Sequence, residues 1–448
     1  MKKELKSIFK NKIVIFVFIA SLFISILNII EIEDLANNSN QEAYYDLKKV
    51  YVDYSEEIDR QRLLVDKNDK MRLTHLEYLE WNKQRLYDKA NYYLDSFSKH
   101  EDTIRDTDLV RNVVQAELNR NPDKEESVLE IFKDDIDKNL GKDFVDFDLK
   151  EISGIYYKTG EYRKEYNQPI YLNYAFALKR DFYLKNKNIK EIDYSTKSPW
   201  TYIGKTYFRS KVKNDFFLPV LILLLVYILT IARKEKTFDL VATRSTEKKA
   251  IYTYYFKVFM VVIFTLYFLP DLISILYMGL RYGFEGLNNV IPIDKEALTS
   301  FSTYKNVGLY EDETFGLAKA LIVKMGDDLS YLNYDLDLVE LWKVFLLAFA
   351  FDSLKLILFG SISLLIGLLI KDTNKSLMVA VFVGLFAVLS RFLGFLYGKL
   401  NIFSYLSGFA VAMGGTQVSY MLGLLIIIFA IGLVNILSRN IFSRRDLV

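Results

Sequence analysis

Cysteine is absent from this chain, and histidine occurs only twice, as His75 and His100. The lack of cysteine excludes a disulfide framework, and with so little histidine almost no ligands remain for a zinc or haem site. No HExxH or GxSxG pattern is present. Residues 199–206 end like a phosphate-binding loop, but Pro199 stands where that loop needs glycine. The sequence therefore predicts no catalytic centre, no metal site and no cofactor in this chain.

Charge is locally scarce as well. Charged residues make up 25% of the chain, yet residues 13–30 contain none. A helix needs about 17–25 apolar residues to cross the hydrocarbon core of a bilayer, and several runs reach this length. They exclude a purely soluble protein and predict an α-helical polytopic membrane protein with six transmembrane helices, at residues 13–30, 216–232, 251–280, 342–370, 376–397 and 421–437.

The segments between these helices differ in charge. Residues 1–12, 233–249, 371–375 and 439–446 together carry +10, whereas residues 31–215 carry −5 and residues 281–340 carry −6. Lys and Arg accumulate in cytoplasmic loops. Both termini, the 233–250 loop and the 438–448 tail are therefore predicted to be cytoplasmic, and residues 31–215 and 281–341 extracytoplasmic. The first helix lacks a small-residue cleavage pattern and is expected to be a retained signal anchor.

The large outer segment, residues 31–215, is long enough to bury a core of its own. Apolar residues at three- and four-residue steps predict helices in its first half and at residues 109–118 and 127–140. Residues 155–162 resemble a hairpin and the aromatic residues 169–183 a strand, so we expect a mainly helical α+β domain. Its charge changes from −12 over residues 31–151 to +7 over 152–215. The basic part is either a docking surface for a charged ligand or lipid headgroups, or merely solvated.

Apart from Lys257 and Lys343, which lie near helix ends, four charged residues interrupt the predicted transmembrane helices: Asp271, Asp352, Lys355 and Arg391. Such residues usually face a bundle interior or a wet cavity. A rise of about 1.5 Å per residue places Asp352 and Arg391 at similar depths. We hypothesise an intramembrane network of Asp352 with Arg391 or Lys355, which either locks the helices together or lines a translocation path.

The predicted cytoplasmic surface is small but patterned. Residues 1–12 are typical of a basic amphipathic interface helix, with Leu5, Ile8 and Phe9 on its apolar side. The 233–250 loop contains apolar residues among its charges. It is either a helix that presses on a partner protein or a connector that packs on its own bundle.

These two segments resemble the permease subunits of ABC-2-type ABC exporters. The basic start that leads into the first helix is similar to the opening of that family. The loop is similar to the one after the family's second helix, except that Lys236 replaces the usual glycine and the usual proline is missing. The glycine-containing residues 398–420 are similar to the family's short external gate helices before the last transmembrane helix.

The resemblance implies a six-helix, type V exporter-like permease beside a second permease, identical or paralogous, with two cytoplasmic ABC ATPase subunits that bind ATP and magnesium. It also implies a coupling helix that contacts the ATPase and contains Glu235, Thr237, Phe238, Asp239, Leu240, Thr243 and Arg244. The expected function is export of a peptide, an antimicrobial or another amphipathic substrate across the bacterial cytoplasmic membrane, and hence resistance, with lipids but no nucleic acid as partners.

Two alternatives remain open from the sequence. One is a non-transporting scaffold or receptor, similar to type VII secretion accessory proteins. The other is a ligand sensor coupled to an ATPase. The 235–249 segment discriminates between the classes, because an exporter needs it to contact an ATPase and a scaffold does not.

Overall fold

The computed structural model describes residues 2–64, 73, 76, 80, 83–84, 109, 112–113, 115–117, 119–121, 123–139, 164–189, 192, 196–208, 217–234, 248–301, 336–370, 372–389, 408–412 and 418–444. In chain order its elements are α1 (Lys2–Phe9), α2 (Lys12–Leu64), α3 (Val128–Ile131), α4 (Lys133–Asn139), α5 (Lys164–Asn186), α6 (Pro199–Ile203), a π-helix (Gly204–Phe208), α7 (Leu218–Lys234), α8 (Lys248–Tyr282), β1 (Val290–Asp294), α9 (Lys295–Thr299), β2 (Leu336–Glu340), α10 (Leu341–Leu369), α11 (Thr373–Leu389), α12 (Gly408–Ala412) and α13 (Tyr420–Arg444).

Within these described ranges, four helices are long and apolar enough to cross a membrane: Lys12–Ala36, Tyr252–Tyr282, Leu341–Leu369 and Tyr420–Ile441. They coincide with the first, third, fourth and sixth predicted transmembrane helices. The second and fifth overlap α7 and α11, of each of which the structure describes 17 residues. At 1.5 Å per residue these described parts are about 25 Å long. The apolar helices indicate a membrane-embedded helical protein.

The first apolar helix continues into the predicted outer segment. α2 is a single helix of 53 residues, about 80 Å long. Only its apolar part, Lys12–Ala36, has the composition of a membrane span. The helix therefore extends beyond residue 30, because the polar residues that follow continue the same backbone hydrogen bonding.

α10 is the central helix of the bundle. It contacts α7, α8, α11, α12 and α13. Its buried residues lie all around its circumference, among them Leu341, Phe351, Leu356 and Leu364, each 0–1% exposed. A helix that is apolar on every side belongs in a protein core or in a membrane. α2 packs against α8 at the side of this arrangement.

Outside the bundle, a separate apolar core joins the end of α2 to α3, α4 and α5, with Ile58, Val128 and Phe182 at most 2% exposed. The helices predicted at residues 127–140 are confirmed, with a break at Phe132 between α3 and α4. The described residues within 109–118 are helical as well. This part of the predicted domain is therefore helical.

The strand predicted at residues 169–183 is wrong, because these residues belong to α5. Aromatic residues favour strands in general, but their spacing decides here. Tyr171, Leu178 and Phe182 recur at steps of seven and four residues and are at most 6% exposed, which is the pattern of one buried helix face. The hairpin predicted at residues 155–162 lies outside the described residues.

An antiparallel pair of strands, β1 and β2, forms in the second predicted outer segment, for which no strand was predicted. Val290 pairs with Glu340 and Asp294 with Leu336. The buried guanidinium of Arg180, from α5, donates from Nε to the carbonyl of Val290 at 3.3 Å. Arg180 therefore attaches the outer helices to this sheet.

Candidate functional site: an intramembrane polar layer and a side pocket

The two intramembrane aspartates lie at matching positions on neighbouring helices. Asp271 precedes the end of α8 at Tyr282 by eleven residues, and Asp352 follows the start of α10 at Leu341 by eleven. Each carboxylate is therefore roughly 16 Å from these helix ends. Both side chains are buried, at 2% and 1% exposure.

Asp271 is bound by three hydroxyl groups from distant parts of the chain, named here the hydroxyl cluster. Ser25 Oγ donates to Asp271 Oδ1 at 3.1 Å, Tyr202 OH donates to the same oxygen at 2.9 Å, and Tyr207 OH donates to Oδ2 at 2.6 Å. A carboxylate is an acceptor-only group when ionised, so three donors suit its charged form. Hydrogen bonds of this kind offset part of the cost of burying a polar group.

Two members of the hydroxyl cluster come from a segment predicted to lie in the outer domain. Residues 199–208, named here the inserted segment, form α6 and the π-helix and pack against α2, α8 and α12. Ser198 Oγ accepts the Thr201 N–H at 3.1 Å, and Pro199 starts the helix. Serine at the N-cap with proline at the first helical position is a strong helix start. The π-helix that follows is an element that often occurs at functional sites.

One ion pair fixes the inserted segment beside α2. Lys205 Nζ lies 2.6 Å from Glu31 Oε2, with the lysine side chain 9% exposed and the glutamate 69%. Burial lowers the pKa of Lys205, and the hydrogen bond and charge of Glu31 oppose that shift. The pair therefore holds a buried lysine against the exposed edge of the bundle.

Asp352 has different partners. Lys355 Nζ lies 3.4 Å from Asp352 Oδ1, and the backbone N–H of Gly408 donates to the same oxygen at 2.9 Å. Asp352 thus contacts Lys355 on its own helix, and Arg391 lies outside the described residues. Asp271 is bound by the hydroxyl cluster.

The contact of Asp352 with Gly408 joins α12 to the central helix. A Cβ at Gly408 would lie 2.2 Å from the carbonyl oxygen of Ala348, so only glycine allows the backbones to approach this closely. The backbone N–H of Gly408 is the donor in this contact. The Asp352 carboxylate satisfies that donor from another helix.

A third polar contact crosses the bundle toward its other end. Asn435 on α13 donates from Nδ2 to Ser361 Oγ on α10 at 3.1 Å, and the hydroxyl of Tyr252 on α8 donates to Asn435 Oδ1. Ser361, Asn435 and Tyr252 are not among the predicted site residues. Serine, asparagine and tyrosine carry no charge, so their place in an apolar run gave no signal.

Of the two predicted cytoplasmic helices, the structure describes the interface helix and not the coupling helix. α1 is a helix, and Leu5, Ile8 and Phe9 are half-buried against the core of the bundle, so the protein covers part of the face expected to lie in lipid. The predicted coupling residues lie outside the described residues, between the end of α7 and the start of α8: Glu235, Thr237, Phe238, Asp239, Leu240, Thr243 and Arg244. Their role stays a prediction.

A cavity of about 590 Å³, named here the side pocket, opens between the inserted segment, α8 and α10. Sites for small ligands commonly have volumes of about 300–1,000 Å³. Its lining is aromatic and aliphatic with few polar groups, and Asp271 is its one acidic member: Ile203, Tyr207, Phe264, Thr265, Phe268, Leu269, Asp271, Leu272, Ile275, Phe345, Ala348 and Phe349. Across the part of the chain that the structure describes, no group of three or more His, Cys, Asp or Glu residues could hold a metal ion.

The fold and this site define a mostly helical, membrane-embedded protein with a polar layer inside its bundle. Comparison with protein-family models, with curated proteins and with solved structures gives no match for this chain.

Proposed function

We propose that this chain is the membrane-spanning permease subunit of a bacterial ABC exporter. In this proposal six helices cross the cytoplasmic membrane, with both termini in the cytoplasm and residues 31–215 and 281–341 outside. Two such permeases, identical or paralogous, associate with two ATPase subunits that bind ATP and magnesium. The substrate is a peptide, an antimicrobial or another amphipathic molecule.

The observation that carries this proposal is a hydrogen bond beside the predicted coupling loop. Arg233, two residues before Glu235, donates from Nη1 to the carbonyl oxygen of Ile370 at 3.0 Å. Ile370 caps the C-terminal end of α10. A cation at this position is favoured by the unpaired carbonyl groups of a helix C-terminus. The end of α7, where the loop begins, is therefore attached directly to the central helix.

Through this attachment, a movement of the loop would be transmitted to the polar layer. A displacement of the loop by an ATPase would move Arg233 and hence the end of α10. The same helix holds Asp352 and Lys355, and Asp352 binds α12 through Gly408. Two discrete arrangements of these rigid helices are what a transport cycle requires. α12 also precedes the last apolar helix, as the resemblance to exporter permeases implies.

Co-purification tests the proposal. The full chain, carrying an affinity tag and extracted from its native host in mild detergent, is expected to recover an ABC ATPase at a near-equal amount. Replacement of Phe238 and Leu240 by Asp should abolish that recovery, because charges replace the apolar side chains expected to contact the ATPase. Phe301→Asp is a matched control, since Phe301 is 60% exposed and belongs to a segment assigned to the opposite side.

Recovery of the chain without any ATPase contradicts the proposal. The outer residues 31–215 would then favour a non-transporting scaffold or receptor. If Phe301→Asp also abolishes recovery of the ATPase, the contact does not depend on the predicted coupling helix. That result would contradict the coupling helix. A sensor that signals to an ATPase would retain the subunit but show no ATP-dependent substrate movement in vesicles.

A further inference from the structure

The side pocket is elongated along the helix axes. Its α8 lining extends from Phe264 to Ile275, eleven residues along one helix, or roughly 16 Å. Its α10 lining begins at Phe345, four residues after the start of that helix. The pocket therefore occupies the half of the bundle that adjoins the ends of α8 and α10 at Tyr282 and Leu341. An extended hydrocarbon chain that lies parallel to the bilayer normal has this shape.

The opening of the side pocket faces sideways from the bundle. Leu269, Leu272 and Phe349 line it and are 38%, 51% and 54% exposed. Their neighbours Leu276 and Leu346 are exposed apolar residues as well, at 48% and 59%. Each of these five residues belongs to a helix long and apolar enough to cross a membrane. The opening is thus continuous with a surface suited to contact lipid chains.

The polar groups of the lining are satisfied by the protein itself. Both oxygens of Asp271 accept hydroxyl groups of the hydroxyl cluster. Thr265 Oγ1 donates to the carbonyl oxygen of Val261 on its own helix at 2.7 Å. An occupant with a polar group would have to displace these bonds, whereas an apolar chain leaves them intact. The lining therefore favours hydrocarbon.

We propose that the side pocket binds one acyl chain of a membrane phospholipid. The chain comes from the leaflet next to Tyr282 and Leu341, which is the outer leaflet in the proposed topology. It contacts Ile203 and Tyr207 of the inserted segment, so it braces this segment against α8 and α10. The proposal rests on the membrane embedding of the helices and does not depend on an ATPase.

Two native tryptophans provide a test. The sequence has three, Trp81, Trp200 and Trp342. Trp200 is 7% exposed and stacks on Phe345 of the lining, with ring centroids 5.8 Å apart. Trp342 is 39% exposed at the start of α10 and reports on ordinary lipid contact. Full-length variants with Phe at two of the three positions leave either Trp200 or Trp342 as the fluorescent probe.

Both single-tryptophan proteins are reconstituted into phosphatidylcholine and phosphatidylglycerol vesicles, with or without bromine atoms in the middle of one acyl chain. Brominated chains should quench Trp200 as well as Trp342. Thr265→Phe fills the pocket, so it should remove roughly half or more of the Trp200 quenching, because a close-packed site holds either the ring or the chain. Leu272→Phe narrows the opening and should act in the same direction. Ile273→Phe, at an exposed position of α8 outside the lining, is the matched control.

Quenching of Trp342 without quenching of Trp200 overturns the proposal, because it shows that lipid chains surround the protein but do not enter the pocket. Such a result would favour a second copy of this chain over the opening. Trp200 quenching that persists in both Thr265→Phe and Leu272→Phe also overturns it, because the chain then lies elsewhere. Neither result bears on ATPase co-purification, so a failure here is distinct from a failure of the proposed function.

Discussion

The pairing of Asp352 with Lys355 predicts strong coupling between two substitutions. Asp352 Oδ1 receives the Lys355 ammonium and the Gly408 N–H, and Asp352 Oδ2 has no hydrogen-bond partner among the described residues. Both charged side chains are at most 4% exposed. Lys355→Met removes the compensating charge and leaves a carboxylate buried in apolar surroundings. Loss of one partner of a buried pair lowers the unfolding free energy by about 3–5 kcal/mol.

Combining Lys355→Met with Asp352→Asn should restore most of that loss. The amide oxygen of Asn keeps an acceptor for the Gly408 N–H while the uncompensated charge disappears. Replacement of a buried ion pair by neutral side chains is often nearly neutral, so we expect the double variant within about 1–2 kcal/mol of the unsubstituted protein. The two substitutions should thus show a coupling energy of about 2 kcal/mol or more, as residues in one network do.

The measurement is unfolding of the purified full-length protein in mixed micelles by increasing SDS, followed by tryptophan fluorescence. Leu356→Met, at the adjacent buried position, is the matched control and should lose less than about 1.5 kcal/mol, because it conserves volume. If Lys355→Met and the double variant lose equal stability, the carboxylate does not depend on Lys355 and this reasoning is refuted.

Three further predictions concern topology, acidity and the hydroxyl cluster. Because the chain has no cysteine, Lys187→Cys should react with a membrane-impermeant maleimide on intact cells and Lys375→Cys only after permeabilisation; the reverse pattern would contradict the proposed orientation. Burial raises the pKa of Glu125 from 4.5 to about 6. The folded state therefore binds the Glu125 proton more tightly than the unfolded state. The free energy of unfolding should thus decrease by about 1 kcal/mol, after solvent screening, as the pH rises from 4.5 to 6. Glu125→Gln should flatten the change in melting temperature over that range, and an unchanged slope would refute the assignment. Tyr207→Phe should lower the unfolding free energy by about 1–3 kcal/mol, because it removes a donor to a buried carboxylate; an equal effect of Tyr227→Phe, a half-buried tyrosine on α7, would show that the loss is not specific.

The positions of the apolar helices were predictable because a membrane span must be long and apolar whatever it packs against. The Asp352–Lys355 contact was predictable for a local reason, since residues three apart share one face of a helix. The helix at residues 164–186 was missed although its spacing was present in the sequence. Its high aromatic content is typical of a strand, whereas the periodicity of Tyr171, Leu178 and Phe182 is that of a helix.

The partners of Asp271 could not be predicted. Ser25 is 246 residues away in the chain and Tyr202 is 69 residues away. Hydroxyl groups of this kind are common, and no local pattern shows which of them will meet a carboxylate. The pairing of β1 with β2 could not be predicted for the same reason. A short strand has no preference for a particular partner until the rest of the fold brings two strands together.

The sequence by itself determined which segments are apolar, how charge is divided between the segments that connect them, and where isolated charges interrupt apolar helices. Each of these is a property of residues within one helix or loop. Only the tertiary structure decided that residues 199–208 enter the bundle, that Asp271 binds hydroxyl groups while Asp352 binds Lys355 and Gly408, and that a pocket remains beside them. These features depend on how several helices approach one another, and that approach is set by the complementary shapes of side chains far apart in the sequence.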